Sequence, residues 1–107
     1  MVTLDANIWI AGFDATDVFH GRSSTFLREV TRRGLPLHGP ASVLVEVGCV
    51  LARRFRNPAA GLQAAAGVAA HRLMRLRPLD EALLGLALQL GSRQFLRAAD
   101  ALYAATA

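Results

Sequence analysis

Three short apolar runs interrupt this chain, and a longer stretch with helical spacing follows each of them. The runs are Val2-Thr3-Leu4, Leu35-Pro36-Leu37-His38 and Leu73-Met74-Arg75-Leu76-Arg77. Each is too short for a helix and reads as a strand of a small sheet. Strands separated by whole helices cannot close as tight hairpins. The pattern therefore predicts an α/β fold with a mostly parallel sheet flanked by helices. In such sheets ligands collect outside the carboxyl ends of the strands. Asp5, directly after the first run, is thus the first residue to consider for chemistry.

Between the runs, Asn7 is expected to start a short helix through Ile8, Trp9 and Ile10, since Asn suits a helix N-terminus. Asp14 to Asp17 is a polar break. Phe26, Leu27 and Val30 keep helical spacing from about Val18 to Arg33, and Gly34 follows as a C-cap. Gly39-Pro40 is read as punctuation, with Pro in the first turn of a helix that runs to about Arg56 and ends at Asn57-Pro58. An Ala- and Gly-rich helix from about Ala59 to Arg72 offers a surface for close helix approach. In the third run Met74 and Leu76 face one way and Arg75 and Arg77 the other, which suits a sheet edge. Asp80-Glu81 begins an apolar helix to about Gly91. A turn from Ser92 to Arg97 leads into a last helix.

The 107 residues suit one domain, and a hydrophobic fraction of 53% argues for a packed core. The formal charge is +4, and all twelve basic residues are Arg. Guanidinium forks match phosphates, so a nucleic-acid partner is permitted; a coding bias toward Arg explains the excess equally well. Arg53, Arg54 and Arg56, and later Arg72, Arg75 and Arg77, are candidate phosphate contacts or plain helix-end and edge-strand cations. The single cysteine, Cys49, excludes an internal disulfide. No stretch approaches the roughly 20 apolar residues of a membrane span, and the N-terminus does not resemble a signal peptide. A cytoplasmic protein with no membrane partner is expected. His20, His38 and His71 lack metal-ligand spacing. Trp9 and Phe13 read as core or interface.

The chemistry concentrates in three carboxylates, each set in an apolar context. Asp5 ends the first run, Glu46 lies within Ser42-Val43-Leu44-Val45-Glu46-Val47, and Asp100 lies within Ala98-Ala99-Asp100-Ala101-Leu102-Tyr103. A desolvated anion is unfavourable unless it is paired or holds a metal. If the fold gathers them, they form an oxygen-only site of the kind Mg²⁺ or Mn²⁺ prefers. Bland readings exist for each: Asp5 as a helix cap, Glu46 on a solvated stripe with Cys49, Arg53 and Arg56, and Asp100 paired with Arg97. Ser42 precedes Glu46 by one turn and shares its face. Asn7 lies two residues from Asp5. Ala104 and Ala107 share a face with Asp100 and would let backbone pack near it.

Val2-Thr3-Leu4-Asp5-Ala6-Asn7 resembles the opening strand motif of PIN-domain nucleases. Ser42 to Val47 resembles their second motif, a helix with a Glu, and Leu96 to Tyr103 resembles their third. Order, spacing and flanking residues are similar to the small VapC-type toxins over essentially the whole chain. The resemblance implies a PIN-like three-layer fold and a metal-dependent endoribonuclease, the toxin of a VapBC-type toxin–antitoxin pair. Asp5, Glu46 and Asp100 match the catalytic, metal-binding acids, with Mg²⁺ or Mn²⁺ as cofactor, and Asn7 and Ser42 match supporting polar positions. The implied partners are RNA, a cognate antitoxin and a second copy in a homodimer. The family carries a fourth acid on a later strand, which would lie beyond Ala107. One PIN-like domain over 1–107, incomplete at its C-terminus and with an open edge on the first strand, is therefore expected. Two other readings stay open: a degenerate PIN-like domain that acts as a non-catalytic binding module, and a DNA-cleaving or RNA-maturing PIN enzyme. The three acids are expected at the carboxyl edge of the sheet, their oxygens within roughly 4–8 Å, close enough to share ions.

Overall fold

The computed structural model describes residues 1–107. The order is β1 (Val2–Thr3), α1 (Ala6–Phe13), α2 (His20–Arg32), β2 (Leu37–Pro40), α3 (Val43–Phe55), α4 (Pro58–Ala70), β3 (Met74–Arg77), α5 (Glu81–Gln94) and α6 (Ala98–Thr106). The strands form one parallel sheet in the order β1-β2-β3. β3 is the edge strand that its alternating arginines predict. β1 pairs only with β2, in the register Val2↔Leu37 and Thr3↔His38, so its other side is open.

Four boundaries differ from the sequence reading. Gly39 and Pro40 belong to β2, opposite Leu76 and Arg77, instead of breaking the chain. Leu37 donates to Leu73 on the β3 side, so by alternation the N–H that Pro40 lacks would face the β1 side, where β1 has already ended. A proline is tolerated at such a place. Consequently α3 starts at Val43, not at Pro40. The first helix is capped by Asp5, not started by Asn7: Asp5 Oδ1 accepts the Asn7 backbone N–H at 3.1 Å. And α5 continues past Gly91 to Gln94, ending on Phe95 in the left-handed region (φ 55°).

The main core joins the sheet to α1, α3 and α4. Leu37, Val43, Val47, Leu51 and Val68 are buried, with Trp9 and Ile10 beside them. Helices α3 and α4 approach through glycines. A Cβ on Gly61 would collide with the Gly48 carbonyl oxygen and lie 2.8 Å from Ala52 Cβ. The small-residue surface is thus used for close packing, as its composition predicts. Leu83, Ala87, Ala101 and Ala105 form a separate small core between α5 and α6.

The polar break after α1 is held by one cation. Arg54 Nη1 contacts Asp14 Oδ2 at 2.9 Å and Asp17 Oδ2 at 2.8 Å. Thr16, through its hydroxyl and N–H, and then Arg54 keep the Asp14 carboxyl below its usual range. Arg54 is therefore an anchor of the α1–α2 turn rather than a free phosphate contact. His71 is half-buried, accepts the Leu73 N–H on Nδ1, and stacks edge-on to Trp9 with ring centroids 5.6 Å apart. No helix is long and apolar enough to cross a membrane.

Candidate active site

The three acids all sit at helix N-termini. Asp5 is the N-cap of α1, at the carboxyl end of β1. Glu46 is in the first turn of α3, just past the carboxyl end of β2. Asp100 is in the first turn of α6. Unpaired N–H groups give each of these ends a partial positive charge, which favours a carboxylate there. The local sequence explains the placement: Asp favours the cap, and chain leaving a parallel strand enters the next helix at the sheet's carboxyl edge.

Tertiary packing brings the acids into one electrostatic neighbourhood. Partial burial raises the Glu46 pKa above its ordinary value. The Tyr103 hydroxyl opposes that shift, and the charges of Asp5 and Asp100 add to it. The repulsion has no local counter-charge. All four ion pairs of the molecule use other acids: Glu29 with Arg32 and Arg33, and Asp14 and Asp17 with Arg54. In a chain with twelve arginines, none is paired with Asp5, Glu46 or Asp100. The Arg97–Asp100 pair allowed by the sequence does not form. Arg97 is exposed and forms the N-cap of α6 through its backbone alone.

The acids are less buried than their apolar surroundings imply. Asp5 and Asp100 are exposed and only Glu46 is half-buried. Ala104 and Ala107 lie on the solvent side of α6, while Ala101 and Ala105 make the close packing. Asn7 is exposed, and its side-chain amide makes no hydrogen bond within the chain. Ser42 Oγ is buried with no hydrogen-bond partner and makes no cap bond to α3. An unmet buried hydroxyl is unfavourable by about 1–3 kcal/mol. One turn before Glu46, it is suited to a bound water or a cation-bound oxygen.

One residue of this constellation was not singled out from the sequence. Tyr103 Oη accepts the Ala6 backbone N–H at 3.1 Å and donates to Glu46 Oε1 at 3.1 Å. It connects α6 to the start of α1 and to α3. Burial, then the Glu46 charge, pushes its pKa well above the ordinary phenol value, so it remains a donor. The available signal was its place as the sole tyrosine, one turn after Asp100 on a helix of small residues.

The donor chemistry suits a hard divalent cation: three uncompensated carboxylates and an orphaned hydroxyl. The spacing is wider than a direct cage. No three His, Cys, Asp or Glu side chains stand close enough together to hold an ion among them. Oxygen ligands of Mg²⁺ commonly include several waters, which relaxes that requirement.

Residues 2–107 match the PIN domain family. This chain belongs to the PIN-domain family. No curated protein matches this chain closely enough to count as a relative. Among solved structures it is similar to VapC20 from Mycobacterium tuberculosis, described as a sarcin-ricin loop cleaving toxin. The two share 22% identity with a TM-score of 0.79, over 98% of this chain and 79% of that one. At that identity the likeness establishes the fold: a parallel three-stranded sheet flanked by helices, as in VapC-type proteins.

Proposed function

We propose that this PIN domain is a Mg²⁺- or Mn²⁺-dependent endoribonuclease, the toxin of a VapBC-type toxin–antitoxin pair, acting in the cytoplasm. The observation that carries the reading is the group of Asp5, Glu46 and Asp100 at three helix N-termini, close enough to repel and left unpaired. A protein rich in arginine would neutralise such a group internally if its role were structural. Left open, it attracts a cation. In this reading Asp5, Glu46 and Asp100 are the catalytic, metal-binding acids. When bound, the cation supplies a more acidic water and neutralises charge that builds on the phosphate.

The chain's own residues do the rest. The carboxylates fix where the cation sits, and the helix N-termini temper their mutual repulsion. Ser42 Oγ and the Asn7 amide, both without protein partners, hydrogen-bond water or a phosphate oxygen. Arg97, the N-cap of α6, and Arg93, in the last turn of α5, are both exposed and contact flanking phosphates of the RNA. The proposed protein partners are a second copy and an antitoxin that offers Arg or Lys to the carboxylates. A groove of about 420 Å³ between α3 and α4, rimmed by exposed Val45 and Leu62, provides apolar surface for such contacts.

The test is cleavage of a mixed RNA substrate in Mg²⁺ and in chelator. Asp5→Asn, Glu46→Gln and Asp100→Asn should each lower the rate about a hundredfold or more, since each decade is about 1.4 kcal/mol of transition-state stabilisation. Undiminished cleavage in chelator, or by Asp100→Asn, would refute the reading. The wide spacing of the acids favours one alternative, a PIN domain that binds RNA or protein without cutting. That alternative predicts RNA binding with no cleavage in either metal.

A further inference from the structure

The Tyr103 hydroxyl has one proton and lone pairs to accept others, and both functions are taken. The Ala6 N–H, the first of α1, donates to the oxygen at 3.1 Å. The two other early donors of that helix are met by Asp5: Asn7 N–H by Oδ1 and Ile8 N–H by the Asp5 carbonyl. With the oxygen turned toward Ala6, the proton points to Glu46 Oε1, also at 3.1 Å. The Glu46 carboxylate has no other hydrogen bond within the chain and no ion pair. One oxygen is therefore held and Oε2 is left without a protein partner. The flexible Glu side chain feels the like charges of Asp5 and Asp100 and would otherwise swing away from them. The ring is half-buried and packs against the main core, so the hydroxyl is carried by a fixed frame.

We propose that Tyr103 is the positioning residue of the acidic site: its hydroxyl, oriented by the Ala6 N–H, fixes the Glu46 carboxylate so that the remaining oxygen serves a divalent cation. It acts through Glu46 and does not touch substrate. The inference rests on the metal-dependent reading above and adds to it the residue that organises the acids. Groups that hydrogen-bond a metal-ligating carboxylate typically change metal affinity about 10- to 100-fold when removed.

The probe is Mn²⁺ alone, titrated calorimetrically into the full chain and its variants. Tyr103→Phe keeps the ring and removes the hydroxyl. It should weaken Mn²⁺ binding about 10- to 100-fold while saturating Mn²⁺ restores most of the RNA cleavage, a rescue that a merely structural defect does not allow. In a Glu46→Gln background the same change should cause no further loss. Because Tyr103 is the only tyrosine, 3-fluorotyrosine incorporated throughout labels this site alone and retains the hydroxyl. Its ¹⁹F resonance in the otherwise unchanged protein should shift and saturate with Mg²⁺, whether or not the Phe variant folds. Equal Mn²⁺ affinity in the parent and a folded Tyr103→Phe, or a ¹⁹F signal that ignores Mg²⁺ seen to bind by calorimetry, overturns the inference. A parent that binds neither ion overturns the metal reading itself, and this one with it.

Discussion

At the scale of single residues the site is a compromise between charge and stability. Glu46 is pushed toward its neutral form by burial and by Asp5 and Asp100, against the Tyr103 hydroxyl, which favours its charge. A carboxyl whose folded pKa lies above the unfolded one binds more protons when folded. Stability therefore falls as pH rises through the raised value, and the penalty is absent below the ordinary value of 4.5. Without metal, Glu46→Gln should raise the melting temperature at neutral pH, although the same change lowers cleavage in Mg²⁺, and the difference in melting should vanish below pH 4.5. Thermal melts of parent and variant in chelator across pH check this; a variant that melts lower at neutral pH would contradict it. The gain in stability with loss of activity is what a functional acidic site predicts.

At the scale of elements, the fit of α3 on α4 depends on the absence of side chains at their crossing. A Cβ at Gly61 meets the Gly48 carbonyl and Ala52, atoms of a helix backbone and its shortest side chain, which cannot move aside. Gly61→Ala should destabilise by about 1–3 kcal/mol, the usual range for overpacking. Gly85 is the control. It is exposed within α5, and a Cβ there meets nothing within 4 Å. Gly85→Ala should stabilise by about 0.4–1 kcal/mol by restricting the unfolded chain. Urea unfolding of both variants gives the two opposite signs; the same sign for both would show that helix propensity, not the crossing, governs α4. The glycines that matter can be told apart only by what faces them.

At the scale of the whole molecule there are two cores and one site between them. Asp5 and Glu46 belong to elements of the main core, and Asp100 to α6, which shares the small core with α5. The small core holds four buried residues, so the α5–α6 pair should open more readily than α3 and α4. A cation held jointly by the three acids would fasten that pair to the sheet. Mg²⁺ at a hundredfold excess over its Kd should stabilise the fold by about 2.7 kcal/mol. Hydrogen exchange should slow most in α6 and at the start of α1. Protection confined to α3, or none with Mg²⁺ bound, would mean the acids do not act together.

Read alone, the sequence determined the alternation of strands and helices, the parallel sheet, the arginine-lined edge at β3 and the three acids with their order along the chain. These are local properties: periodicity, turn residues, and charged groups in apolar runs report on themselves. It misjudged Gly39-Pro40, because whether a proline interrupts a strand depends on where the neighbouring strand ends. It left open whether Asp5 or Asn7 caps α1, because Asp and Asn cap helices about equally well. It left Arg54 among candidate phosphate contacts, since nothing near it in sequence announces Asp14 and Asp17. Only the tertiary structure decided that the acids share one field, that no arginine reaches them and that Tyr103 holds Glu46. Those contacts join residues far apart in the chain, and their existence depends on how helices are seated on the sheet, a geometry that no single segment encodes.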